Sequence, residues 1–144
     1  MTTEDNINVL RRVVDEVING RNLGMIEELF APDFVEHEAL PGTPPGIEGT
    51  KVIFGLIHTG FPDIHAEIDD TVAQGDKVVF RQTWRGTQTG EFMGVPPTGN
   101  EVTFEVIDIV RVADGKLAEH WGQLDMMGLM QQIGAIPAPA QAGV

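Results

Sequence analysis

Val102 to Asp125 reads VTFEVIDIVRVADGKLAEHWGQLD, two alternating apolar runs around Ala113-Asp114-Gly115. A type I turn closed by a left-handed glycine is a usual three-residue hairpin loop, and it would pair Val112 with Lys116. Counting outward by twos gathers Val102, Phe104, Val106, Asp108, Val110 and Val112 on one face with Ala118, His120, Gly122 and Leu124. Asp108 and His120 then lie directly opposite each other in an otherwise apolar wall. A carboxylate and an imidazole in such a wall are costly unless paired, so they form a structural pair or a working one.

A two-residue turn at Asp114-Gly115 is the alternative register. It would set Asp108 against Trp121 and move His120 to the other face with Glu105 and Ile107. The three-residue loop is preferred because it leaves the more uniformly apolar wall. The outer face then holds Thr103, Glu105, Ile107, Ile109, Arg111, Leu117, Glu119, Trp121 and Gln123, a mixture that suits a subunit interface and predicts a homodimer.

With 144 residues the chain makes one domain, able to bury a core and a pocket. Nine basic against 22 acidic residues give a net charge of −13, which repels phosphate backbones and anionic membrane surfaces. Nucleic-acid and membrane partners are therefore not expected. The absence of cysteine excludes disulfides, thiol catalysis and Cys-ligated metals. Four histidines without a closely spaced pair do not suggest a metal site either. The acidic N-terminal stretch lacks the pattern of a signal peptide, so a cytoplasmic location is expected. Residues 1–134 read as the folded domain, and Ala135–Val144, AIPAPAQAGV, as a flexible Ala/Pro-rich tail.

Along the chain, Thr2 and Thr3 cap a helix whose stripe is Ile7, Leu10, Val13, Val14, Val17 and Ile18, ending at Asn19-Gly20. A second, shorter helix capped by Asn22 carries Leu23, Ile26, Leu29 and Phe30 and stops before Pro32. Phe34 to Glu38 is extended, with His37 between two glutamates where two helices meet the sheet. Gly49 to Gly60 reads as a third helix with Val52, Ile53, Leu56 and Ile57 inward and His58 at the pocket rim. Two strands follow, Ile64–Ala73 and Lys77–Arg85, around Gln74-Gly75-Asp76. Periodicity does not decide whether Arg81 or the Phe80 and Trp84 face points inward, though apolar content slightly favours the latter. The glycine-rich Gly86–Gly99 lacks any phosphate-cradling spacing and reads as a hairpin connection. Asp125 caps a last short helix, Met126–Ile133. Helices followed by strands without βαβ alternation predict an α+β fold: a curved antiparallel sheet wrapped around three N-terminal helices, with an apolar cavity between them.

Phe61-Pro62-Asp63, Gly75-Asp76-Lys77-Val78-Val79, Gly86-Thr87-Gln88-Thr89-Gly90, Pro97-Thr98-Gly99, Ile107-Asp108-Ile109-Val110-Arg111 and Asp114-Gly115-Lys116 through Glu119-His120-Trp121 to Asp125 together resemble the SnoaL-like polyketide cyclase (ester cyclase) family. That family shares the cone-shaped α+β barrel of the nuclear transport factor 2-like superfamily, as do ketosteroid isomerases and limonene epoxide hydrolases. The resemblance implies a cofactor-independent enzyme with an acid–base aspartate in its cavity, either Asp108 or Asp125. Asp108 matches the strand position of the isomerases' oxyanion-stabilising acid. Near their catalytic aspartate this chain has His37, and their tyrosine donor has no counterpart. Arg81 resembles the arginine of the epoxide hydrolases, which brings it inward, but Thr83 stands where they need an aspartate.

The leading expectation is aldol-type cyclisation, or a related proton transfer, on a small hydrophobic carbonyl compound. Such chemistry needs one base and one hydrogen-bond donor in a dry pocket, and no cofactor or metal. His120, with its tautomer fixed by Asp108, would be the base, and His37 or Arg81 would hold the enolate oxygen. Arg81, His58 and Phe104 are the expected substrate-binding residues. The alternative is a non-catalytic module that binds a small hydrophobic ligand in the same pocket.

Overall fold

A computed structural model describes residues 2–137. Thr2 and Asp5 open the first helix with a reciprocal capping box, Asp5 N–H donating to Thr2 Oγ1 at 3.1 Å and Thr2 N–H to Asp5 Oδ2 at 2.9 Å. This helix, α1 (Thr3–Arg12), runs on as a π-helical stretch, Val13–Asn19. The wider turn lets Val13, Val14, Val17 and Ile18 all be buried, together with Leu10. A 3₁₀ turn, Leu23–Met25, leads into the short α2 (Ile26–Leu29). The chain becomes extended at Phe30, earlier than the apolar stripe suggested, because Pro32 disfavours helix before it.

The remaining elements are β1 (Phe30–Glu36), α3 (Gly46–Gly60), β2 (His65–Gln74), β3 (Lys77–Thr87), β4 (Glu101–Ala113), β5 (Lys116–Leu124) and α4 (Met126–Gln132). They form the expected α+β architecture, with one correction to the sheet. Its order is β1-β5-β4-β3-β2, antiparallel except for β1, which lies parallel to β5. The concave face packs Val78, Phe80, Trp84, Phe104, Val106 and Val110 against the helices in one apolar core.

Asn19 ties the end of the π-helical stretch to the opposite edge. Its side chain donates to Ala66 O at 2.9 Å and accepts from Ala66 N–H at 2.7 Å, occupying the place of a neighbouring strand. On α3, Ile57 is buried, whereas Val52, expected inward, is exposed. Among the described residues no helix is long and apolar enough to cross a membrane. Of the tail expected over 135–144, residues 138–144 lie outside the described residues.

The hairpin register departs from the expected one. Ala113 pairs with Lys116, so the loop is the two-residue Asp114-Gly115, with both residues at positive φ (51° and 75°). Taken alone, that turn would send His120 to the convex face. A bulge prevents it: Val112 pairs with Leu117 and Arg111 with Glu119, leaving Ala118 as an extra residue on β5. The bulge restores the alternation, so His120 returns to the concave face and Leu117 joins it there, buried instead of outward. Asp108 pairs with Gly122, and His120 with Val110.

Candidate active site

Between the concave face and the helices lies a cavity of about 310 Å³. Leu10, Val14, Phe54, Trp84, Val106 and Leu124 contribute to a mostly apolar lining, which Glu36, Asp108 and His120 interrupt as one cluster and Glu38, Thr50 and Gln123 separately. Three strands bring those groups together. His120 on β5 meets Asp108 Oδ1 on β4 through Nε2 at 2.7 Å and Glu36 Oε1 on β1 through Nδ1 at 2.6 Å. Gln82 on β3 donates to the other oxygen of Asp108 at 2.6 Å, and Trp84 Nε1–H donates to Gln82 Oε1 at 3.1 Å. The chain of bonds runs from the edge of the sheet into its buried middle, where Gln82 is fully buried.

Gly122 makes the central bond possible. A Cβ at this position would lie 2.7 Å from Asp108 Oδ1 and 2.9 Å from His120 Cε1 and Nε2. The carboxylate therefore occupies the space above the glycine and reaches diagonally to the imidazole two residues away on β5.

Burial alone would push the His120 imidazole down. Hydrogen bonds to Asp108 and Glu36, reinforced by both negative charges, more than offset that and push its pKa up to about 10. At neutral pH the ring is an imidazolium that donates through both nitrogens. With both nitrogens protonated the ring has no lone pair to offer. Asp108 keeps carboxylate lone pairs beyond those used by His120 and Gln82. Among the described residues, His120 is the cationic side chain lining the cavity.

The other expected site residues do not converge on this pair. His37 follows Glu36 on an extended chain and so turns to the convex face, where it stacks on Trp121 with centroids 4.7 Å apart. There its Nε2 meets Glu119 Oε2 at 2.7 Å. Arg81 also points outward, near Asp69, because Phe80, Gln82 and Trp84 take the buried side of β3. Apolar content decided that face. His58 bonds Ile18 O through Nε2 at 3.0 Å, and burial pushes its pKa down. It fastens α3 to the π-helical stretch rather than lining the cavity. Phe104 faces inward and is buried against Trp84, within the core beneath the site. Asp125 caps α4 by accepting from Gly128 N–H at 2.9 Å. Of the two candidate aspartates, Asp108 is the one lining the cavity.

Glu36 and Gln82 join the site without having been among the expected residues. Glu36 was detectable by parity: adjacent residues of a strand face opposite ways, so Glu36 and His37 cannot both enter the cavity. The pairing of β1 with β5, which aligns Glu36 with His120, carries no local sequence signal.

The profile of the SnoaL-like polyketide cyclase family matches residues 8–133. Aklanonic acid methyl ester cyclase DnrD of Streptomyces peucetius is 25% identical over 145 residues, covering 95% of this chain and 95% of that protein. The structure of TsrD from Streptomyces laurentii matches with a TM-score of 0.85 at 27% identity, covering 94% of this chain and 99% of that one. IdmH from Streptomyces antibioticus matches at 0.78 and 35% identity, covering 90% and 98%.

The packing around Gly122 predicts that Gly122→Ala folds but separates Asp108 from His120, at a cost of about 1–3 kcal/mol in urea denaturation. Gly55→Ala, on α3 with nothing within 4 Å of the added carbon, serves as a control that is neutral or stabilising. An unchanged Asp108–His120 contact in a crystal structure of Gly122→Ala would contradict this.

The raised pKa of His120 carries a pH dependence of stability. Its contribution is fully present below the ordinary value of 6.5 and is lost as pH rises through about 10. The stability difference between wild type and His120→Gln, measured by urea denaturation, should therefore shrink across that window. A constant difference would show that the folded protein holds His120 no more tightly protonated than the unfolded chain does.

Proposed function

Because this chain belongs to the SnoaL-like polyketide cyclase family, we propose that it closes a ring in a small hydrophobic polyketide ester by acid–base catalysed aldol addition. The observation that carries this reading is the Asp108–His120 pair, set in an apolar cavity with Asp108 held from both sides. DnrD, by its name, acts on the methyl ester of aklanonic acid. A polyketide methyl ester is accordingly the substrate class to try first.

Asp108 is the base. It takes a proton from the carbon activated by neighbouring carbonyls, so that a C–H bond breaks, an O–H bond forms on the carboxylate and the electron pair passes into an enolate. The enolate carbon adds to a ketone carbon of the same molecule. The alkoxide so formed takes the proton back from Asp108, leaving a hydroxyl group and no change in atom count. The His120 imidazolium offsets the negative charge that develops on the enolate oxygen and then on the alkoxide. Gln82 holds the second oxygen of Asp108, which keeps the carboxylate from rotating away. The apolar walls exclude water and fold the substrate so that its reacting carbons meet.

This reading predicts that Asp108→Asn retains the fold but loses turnover of polyketide methyl esters by about 10²–10⁴-fold, the usual range for a general base. Product formation followed by liquid chromatography, with aklanonic acid methyl ester as the first probe, measures it. Undiminished turnover in both Asp108→Asn and His120→Ala would remove this pair from the chemistry, and a wild type that binds the ester without turning it over would favour the binding-module alternative.

The convex face supports a second element of the proposal, a homodimer. Ile107 and Ile109 remain 45% and 37% exposed there, in the middle of the sheet and beside the His37–Trp121 stack. Sedimentation at micromolar concentration should give twice the mass of the chain, and Ile107→Lys should shift it toward the monomer. A monomeric wild type would overturn the dimer.

A further inference from the structure

Resting on the cyclase reading, we propose that Glu36 is a positioning residue that acts through His120, holding the imidazolium from the side opposite Asp108. Glu36 belongs to β1, which no turn connects to β5, yet the parallel register sets it beside His120. Its side chain is 7% exposed, and its Oε1 lies 2.6 Å from His120 Nδ1. The backbone N–H of Glu38 donates to that same oxygen at 2.9 Å, so the chain leaving β1 fixes the carboxylate in place.

Two carboxylates on one ring have a consequence that one lacks. With Asp108 alone, the Nδ1–H of an imidazolium would face the cavity without an acceptor, and burial would favour the neutral ring. A neutral ring could present a lone pair to Asp108 or turn about its own axis, and the charge facing the enolate would be lost. Glu36 removes both options. Asp108 on β4 and Glu36 on β1 are the charged groups that meet His120 directly. From β3 comes the neutral Gln82, bonded to Asp108. The first helix and α3 present apolar residues and Thr50 to the cavity, and Glu38 stands exposed at its mouth.

The test is Glu36→Gln in the full chain, with Glu36→Asp beside it. Proton NMR of the imidazole reads the His120 titration midpoint, and kcat and KM are followed against pH with a polyketide methyl ester. Loss of the Glu36 charge lowers the midpoint by about 1–3 units, the usual reach of one close opposite charge. The alkaline limb of the kcat profile moves down with it, while KM stays within about threefold because uniform substrate binding is untouched. Glu36→Asp, which keeps the charge, restores much of the midpoint, and Glu36→Ala reads the same loss of charge if Glu36→Gln does not fold. A midpoint unmoved in the uncharged variant, or one displaced equally in it and in Glu36→Asp, would overturn the proposal. If wild type turns over no polyketide ester, the cyclase reading fails, whereas the titration still decides what Glu36 does to His120.

Discussion

One imidazolium held between two carboxylates, in a cavity lined mostly by apolar side chains, is the interaction on which the site depends. A lone charge there would be driven toward its neutral form, and a single ion pair would only partly offset the loss of hydration. Three groups sharing one positive and two negative charges, with each ring nitrogen bonded, make the arrangement self-consistent. Gln82 and Trp84 extend it into the core, so the carboxylate that faces the cavity is fixed by the same packing that stabilises the sheet.

Backbone geometry delivers these groups to one place. The parallel docking of β1 on β5 sets Glu36 beside His120, the bulge at Ala118 turns His120 inward, and Gly122 vacates the space that the Asp108 carboxylate fills. Each is a local irregularity or an unusual neighbour in an otherwise regular sheet. Regular pairing of β3 with β4 already places Asp108 and Gln82 on the concave face, and the irregularities add His120 and the room for its contact with Asp108.

The fold class was legible because the apolar periods of the first helix and of β4 are strong, with Asp108 the break in the latter. The candidate site was legible in part, and for a reason only half right. Asp108 and His120 stand out as polar residues in an apolar alternation, and they do share the concave face. They share it through a two-residue turn and a compensating bulge, not through the expected three-residue loop. Both routes contain one extra residue between the strands, and parity alone cannot say whether it sits in the loop or at Ala118. Nearness to the isomerases' catalytic aspartate points to His37, although strand alternation allows only one of Glu36 and His37 inside. Arg81 was drawn inward by resemblance against the apolar content of its own strand, and the burial of Phe80 and Trp84 decided otherwise. The acceptor at Nδ1 comes from a long-range parallel pairing that no local pattern encodes.

The central claim is that His120 is a doubly protonated ring anchored at both nitrogens, leaving Asp108 to act as the base. Nitrogen-15 NMR of the histidine side chains at pH 8 tests it most directly. The His120 ring should carry protons on both Nδ1 and Nε2 at a pH where the His58 ring is neutral. A His120 ring carrying a single proton at pH 8 would contradict it, and the assignment of Asp108 as the base would fall with it.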